Sequence, residues 1–151
     1  MSWFKLIHLL AVLLWVGGMF FAHFVLRPAA VEALEPPQRL KLLEAVLRRF
    51  FKWVWGALGV LLITGLYLIY LYGGLGHTAL HIHLMLILGL VMMVIYCYLF
   101  FACFVPFSLH VAKQRWKEAG EIMVRIRKLV SLNLLLGLIT ITEVAILLPR
   151  G

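Results

Sequence analysis

Four stretches of the chain are apolar and long enough to cross a lipid bilayer, and they limit the fold more than any other feature. A helix of about 20 residues crosses the hydrocarbon core, because each residue adds about 1.5 Å along the axis. We predict transmembrane helices at about 5–26, 50–72, 80–105 and 129–148. With 65% hydrophobic and 13% charged residues, the surface would be too apolar for a soluble protein of this size.

The expected fold is therefore an all-α, integral membrane four-helix bundle made of two helical hairpins. Residues 1–151 are predicted to form a single transmembrane domain. The first helix lacks a small-residue cleavage site before Arg27, so we expect a retained helix rather than a signal peptide. The segment from Gln38 onward is predicted to be a short amphipathic helix that lies in the membrane interface before the second span.

Basic residues predict how the chain crosses the membrane. Twelve of the 14 lysines and arginines lie in the two segments that join helix 1 to helix 2 and helix 3 to helix 4. By the positive-inside rule these segments are cytoplasmic, so both termini and the short turn YGGLGHTA face outward. The net charge of +8 is explained by topology, and no nucleic-acid partner is expected.

The two halves of the chain resemble each other. Each half consists of an apolar helix, a basic segment and a second apolar helix, and Leu62-Ile63-Thr64 is echoed by Leu138-Ile139-Thr140. Parallel repeats of this kind are related by an axis along the membrane normal. Helices 1 and 3 would then be equivalent and run in the same direction.

Histidines near the outer face are the candidate site. His8 begins helix 1 and His81 and His83 begin helix 3, so we expect all three at a similar depth near the outer face. Met85 lies one turn deeper than His81 on the same side. His81 and His83 point about 200° apart, so only one of them can face a partner on helix 1. Glu143 is the only acidic residue inside a predicted span and is a candidate proton relay.

Several ligands suit such a cluster. Two imidazoles on facing helices can hold haem b, whereas an imidazole with a thioether suits copper. His8, His81 and His83 are the candidate haem ligands, and the same three with Met85 are the candidate copper ligands. Structural roles for these side chains stay open, as does a second site formed by His23 and His110.

The order of several motifs is similar to a known family. The segments WFKLIHLLAVLLWVGGMFFAHFVLRPA, RRFFKWVWGALGVLLITGLYLIY, LHIHLMLILGL and LVSLNLLLGLITITEV together resemble the small bacterial membrane proteins of the copper resistance protein D (CopD) family. The resemblance implies a bundle of helices in the bacterial inner membrane, associated with copper uptake or tolerance. It also implies a periplasmic copper donor as a partner.

A more distant likeness is to the HemJ-type protoporphyrinogen oxidases. It falls on Trp3, Phe4, Lys5 and His8, and on Leu80, His81 and Leu84. Those enzymes bind haem, which implies that His8 and His81 contact haem or porphyrin. The chain has His83 where those enzymes have lysine, a change that removes a permanent cation and adds a candidate ligand.

Three functions follow as hypotheses. The favoured one is a haem b protein with a redox role, linked to quinone or to a periplasmic redox partner. The second is a copper-binding or copper-transporting protein, and the third is a non-catalytic accessory subunit. Four short helices leave little room for a macrocycle, so a homodimer is one expected arrangement. No catalytic residue or reaction is assigned from the sequence.

Overall fold

The structure is a computed structural model that describes residues 2–147, and these residues form four long helices. They are α1 (Ser2–Ala33), α2 (Pro36–Leu71), α3 (Leu80–Ala112) and α4 (Trp116–Leu147). A single 3₁₀ turn, Leu75–His77, lies between α2 and α3. All four helices are long and apolar enough to span a membrane, which confirms the predicted all-α membrane fold.

The helices are longer than the sequence predicted, and the connections at one end are correspondingly short. Helix α2 starts at Pro36 instead of about residue 50, and α4 starts at Trp116 instead of about residue 129. Hydropathy marks only the apolar part of a helix, whereas the backbone stays helical through the basic part as well. Residue 148, the predicted end of the last helix, lies outside the described residues.

The amphipathic segment that begins at Gln38 is the first part of α2 and not a separate helix in the interface. It continues without a break into the apolar part of α2, and its buried positions Leu40, Leu43 and Leu47 follow the helical period. The prediction of a separate interfacial helix was therefore wrong. These leucines pack into the same core as the spans, which favours one continuous helix.

Both odd-numbered helices contain the same irregularity at equivalent positions. Helix α1 has a π-helical segment, Ala22–Leu26, and α3 has one at Leu99–Phe104; each is followed within two residues by a proline, Pro28 or Pro106. A proline ring clashes with the carbonyl four residues earlier, and the wider π turn relieves that clash. The helix therefore continues past each proline, and the matched pattern agrees with the predicted repeat.

The helices pack as two antiparallel hairpins, α1 with α2 and α3 with α4. Aromatic side chains join the hairpins: the Tyr96 ring lies edge-on to Phe51, 5.5 Å between centroids, and its hydroxyl donates a 3.1 Å hydrogen bond to the Phe51 carbonyl. Ser108 likewise donates a 2.9 Å hydrogen bond to a carboxylate oxygen of Glu44. Many large apolar side chains outside this core are exposed, as expected for contact with lipid.

Gly137 marks the middle of the bundle. A Cβ added there would lie 2.9 Å from Cγ2 of Val16 and 3.2 Å from Cε of Met92, so α1 and α3 both approach α4 at this point. Nearby, the buried Asn133 amide donates a 3.1 Å hydrogen bond to the Met92 carbonyl. These contacts place Val16 and Met92 at the same depth along the two parallel helices.

Candidate functional site

The candidate site lies at the end of the bundle where α1 begins and α2 ends, which we call the histidine end; it holds His8, His81 and His83. The antiparallel packing of α1 on α2 is fixed there by two contacts. The Phe4 and Tyr67 rings lie 4.4 Å apart, and the Lys5 ammonium lies 5.7 Å from the centre of the Tyr72 ring. The opposite end, where both short turns lie, we call the arginine end.

His8 is held in one orientation by a threonine on the neighbouring helix. Its Nδ1 lies 2.8 Å from the Thr64 hydroxyl oxygen, and that hydroxyl donates its own proton to the Val60 carbonyl at 2.6 Å. The hydroxyl can therefore only accept from His8, so Nδ1 carries the proton and Nε2 of the neutral ring keeps a lone pair. This tautomer is the one in which histidine binds a metal through Nε2.

Thr64 was not among the residues that the sequence singled out as part of a site. In the sequence, Thr64 is notable only as the last residue of the repeated triplet Leu62-Ile63-Thr64. Its side chain is buried, and the next residue, Gly65, leaves space for the His8 ring, since a Cβ at Gly65 would lie 3.5 Å from Cε1 of His8. A threonine followed by glycine on the facing helix is the signal that could have indicated this contact.

The buried stripe of α3 separates His81 from His83. At about 100° per residue, Met85 and His81 both lie within about 20° of Met92, a buried core residue. His83 lies about 180° away from that stripe, and its Nδ1 donates a 3.2 Å hydrogen bond to the Ala79 carbonyl. Of the two histidines, His81 therefore shares the core-facing side of α3 with Met85.

His8 lies on the corresponding stripe of α1, because it precedes the buried Trp15 by seven residues, about two helical turns. Depth follows from the contacts at Gly137: His8 is eight residues before Val16, and Met85 is seven before Met92. His8 and Met85 are thus level to within about one helical turn, and His81 is about one turn nearer the end of the bundle.

Glu143 belongs to the flank of the histidine end. Both of its carboxylate oxygens are buried and have no hydrogen-bond partner among residues 2–147. The side chain lines an open, apolar groove on α4 together with Thr142 and Ile146. A carboxylate without partners in such surroundings is costly, so a hydrogen-bond donor or a cation beside it would be favourable.

The remaining histidines lie elsewhere. His77 is exposed in the glycine turn, where its Nδ1 donates a 3.0 Å hydrogen bond to the carbonyl of Gly73, a residue with φ of +89°. His23 lies in the π segment of α1 beside Phe24, and Nδ1 of His110 is buried without a partner in the described part of the chain. A second site at His23 and His110 stays a prediction.

No three histidine, cysteine, aspartate or glutamate side chains within residues 2–147 come together in a way that could hold a metal ion. His8, His81 and Met85 lie on the core-facing sides of their helices at neighbouring depths, and between them they carry two imidazoles and one thioether, a mixed set of nitrogen and sulfur donors. Imidazole and thioether are ligands that copper prefers, and Met85 supplies the sulfur.

Comparison with known proteins bears on which of these ligands is relevant. The family model described as Copper resistance protein D matches residues 44–147, which include Thr64, His81, Met85 and Glu143. No curated protein and no solved structure matches the chain significantly. The match covers more than half of the chain, and His8 lies before its first residue.

Proposed function

The chain belongs to the copper resistance protein D family, and from this we propose that it binds copper ions as its cargo at the histidine end. It is a multi-pass membrane protein with four helices capable of spanning a bilayer. The observation that carries the proposal is the fixed tautomer of His8, whose Nε2 lone pair is available at the depth of the Met85 thioether.

Each residue has a defined part in this proposal. His8 and His81 would supply imidazole nitrogens and Met85 the thioether sulfur, a soft donor set that favours Cu(I) over Zn²⁺ or Mg²⁺. Thr64 orients His8 and keeps its Nε2 unprotonated. His83, on the opposite side of α3, would lie outside this ligand set, and Glu143 would balance charge or carry a proton.

The orientation in the membrane is part of the proposal. The basic segments of both hairpins lie at the arginine end, where Lys41 stacks over Trp116 at 5.6 Å. By the positive-inside rule this end is cytoplasmic. The histidine end and both termini would then face the periplasm of a bacterial inner membrane, where a periplasmic copper donor could reach His83 and His81. Residues 1–151 would act as one domain.

Haem b is the competing ligand for the same histidines. It would need two axial ligands on opposite sides of a macrocycle, with His8 and His81 as the candidates. A quinone or a periplasmic redox protein would then be the partner, and protoporphyrinogen oxidation of the HemJ type one reaction. The family favours copper, and a homodimer or an accessory role is compatible with either ligand.

The test is a copper titration of the purified protein in mild detergent, under reducing conditions, against a chromophoric Cu(I) chelator. We expect His8→Ala, His81→Ala and Met85→Leu each to weaken Cu(I) binding by about tenfold or more, because each removes a ligand. His77→Ala is the matched control, since His77 lies at the same end but in the exposed turn.

The visible spectrum of the same sample, oxidised and reduced, distinguishes the two ligands. A protein that has no Soret band and binds copper in a stoichiometric ratio to the chain supports the copper proposal. A Soret band that disappears in His8→Ala would establish haem in its place. Equal copper affinity in the wild type and all three ligand variants would show that the histidine end is not the site.

A further inference from the structure

A pocket of about 220 Å³ lies at the arginine end, about 28 Å from His8 when measured along α1. Three arginines from three different helices line it: Arg27 of α1, Arg39 of α2 and Arg127 of α4. All three are half-buried. We call this cavity the arginine pocket; the rest of its wall is mainly apolar and includes Leu40, Trp116 and Met123.

The positive charge of the arginine pocket is not neutralised by the protein itself. The three guanidinium groups are close enough for the charges of Arg39 and Arg127 to act on Arg27. The only salt bridge within residues 2–147 joins Arg48 to Glu44, and neither residue lines the pocket. Like charges held together without a counter-ion are unfavourable, so an anion in the pocket would relieve their repulsion.

Arg39 has both satisfied and unsatisfied hydrogen-bond donors at the arginine pocket. Its Nη2 donates to the carbonyls of Val31 and Leu34, both at 3.2 Å, and so holds the turn between α1 and α2. Its Nε is buried and has no acceptor among the described residues. The guanidinium is thus fixed in place by the backbone and still has a donor without a partner.

We propose that the arginine pocket binds a phosphate group. A tetrahedral phosphate presents several oxygens and can accept hydrogen bonds from more than one guanidinium at once, a geometry for which arginine is better suited than lysine. Trp116 and the apolar wall would accommodate the carbon chain to which the phosphate is attached. The pocket lies where the spans end, so the phosphate comes either from the headgroup of an anionic phospholipid or from free phosphate.

The first arm of the test uses lipid. The protein is purified in detergent, delipidated and incubated with phosphatidylglycerol or phosphatidylcholine, and retained lipid is measured by native mass spectrometry. We expect the wild type to retain phosphatidylglycerol preferentially. Arg127→Gln and the double variant Arg27→Gln, Arg127→Gln should lose this preference, with affinity reduced about tenfold for each guanidinium removed.

Arg49→Gln is the matched control, because it removes the same charge from an exposed arginine near the same end, outside the pocket. Arg127→Lys separates shape from charge, since it keeps the cation but loses the planar fork. We expect Arg49→Gln to bind as the wild type does and Arg127→Lys to fall between the wild type and Arg127→Gln.

The second arm uses inorganic phosphate. Thermal unfolding of the delipidated protein is followed with sodium phosphate and with sodium chloride at equal ionic strength. Phosphate that protects the wild type but not Arg127→Gln, without any lipid preference, would support the site with free phosphate as its source. If neither source distinguishes the wild type from the arginine variants, or if Arg49→Gln loses binding equally, the proposal is overturned.

Discussion

His8 donates from Nδ1 to the Thr64 hydroxyl at 2.8 Å while that hydroxyl donates to the Val60 carbonyl at 2.6 Å, so a relay of two hydrogen bonds fixes which nitrogen of His8 carries the proton. The relay ends on a backbone carbonyl of α2, which cannot donate in return. The imidazole is therefore oriented by the helix backbone through a single side chain, and Thr64 becomes the residue that controls the proposed metal ligand.

Replacing Thr64 with valine tests this control. Thr64→Val keeps the shape of the side chain but removes the acceptor for His8. We expect Cu(I) affinity to fall about tenfold and the free energy of unfolding to fall by only about 1 kcal/mol. Competition with a chelator measures the first quantity, and unfolding in mixed micelles measures the second.

Thr142→Val provides the control for that substitution. Thr142 makes the equivalent bond, 2.8 Å long, to the carbonyl four residues earlier, but it is exposed on α4 and has no histidine partner among the described residues. Its replacement should leave copper affinity unchanged. A drop in affinity as large as that of Thr64→Val would mean that the effect comes from the helix and not from the orientation of His8.

His81 and His83 are expected to behave differently in spite of their closeness in sequence. His81 shares the core-facing side of α3 with Met85, whereas His83 lies on the opposite side. At equilibrium, His81→Ala should lower Cu(I) affinity about tenfold, and His83→Ala should change it less than about twofold. The opposite order of affinities would assign the inner ligand to His83.

The close approach at Gly137 predicts a stability effect that is independent of any ligand. A Cβ at this position would lie 2.9 Å from Val16 and 3.2 Å from Met92, so Gly137→Ala should lower the free energy of unfolding by about 1–2 kcal/mol. Gly59→Ala is the control, since a Cβ at Gly59 meets nothing within 4 Å. If the two variants unfold alike, Val16 and Met92 do not pack closely against α4 at Gly137.

Topology can be tested with single cysteines, in a background where Cys97 and Cys103 are replaced by alanine. We expect a membrane-impermeant maleimide to label Gly76→Cys in intact spheroplasts and to label Gln114→Cys only after lysis. Gly76 lies in the turn at the histidine end, and Gln114 lies in the exposed turn between α3 and α4. The reverse pattern would place the histidine end in the cytoplasm.

Much of the fold could be predicted because apolar length and charge placement are local properties of the sequence. The four spans and their pairing as hairpins follow from these two properties alone. The full length of α2 and α4 does not, because a basic amphipathic segment is equally typical of a separate helix. The sequence predicts His8 at about the depth of His81, whereas the finer alignment of His8 with Met85 could not be predicted. It depends on Val16 and Met92 meeting at Gly137, a contact between residues more than 40 positions apart.

The candidate ligands were visible in the sequence, but their roles were not. His8, His81, His83 and Met85 can be recognised as polar or soft groups in apolar helices. The choice between His81 and His83 needs the buried stripe of α3, which only packing defines. The proton position on His8 needs Thr64, whose partner lies 56 residues away.

The cross-links between the two hairpins are unevenly distributed along the bundle. Within residues 2–147, the side-chain hydrogen bonds that join one hairpin to the other are Tyr96 to Phe51 and Ser108 to Glu44, and both lie on the arginine side of Gly137. Among the described residues, the two hairpins are therefore hydrogen-bonded to each other through side chains only toward the arginine end. His8 lies on one hairpin and Met85 on the other, so the separation of these two side chains is set by apolar packing and not by either of these hydrogen bonds.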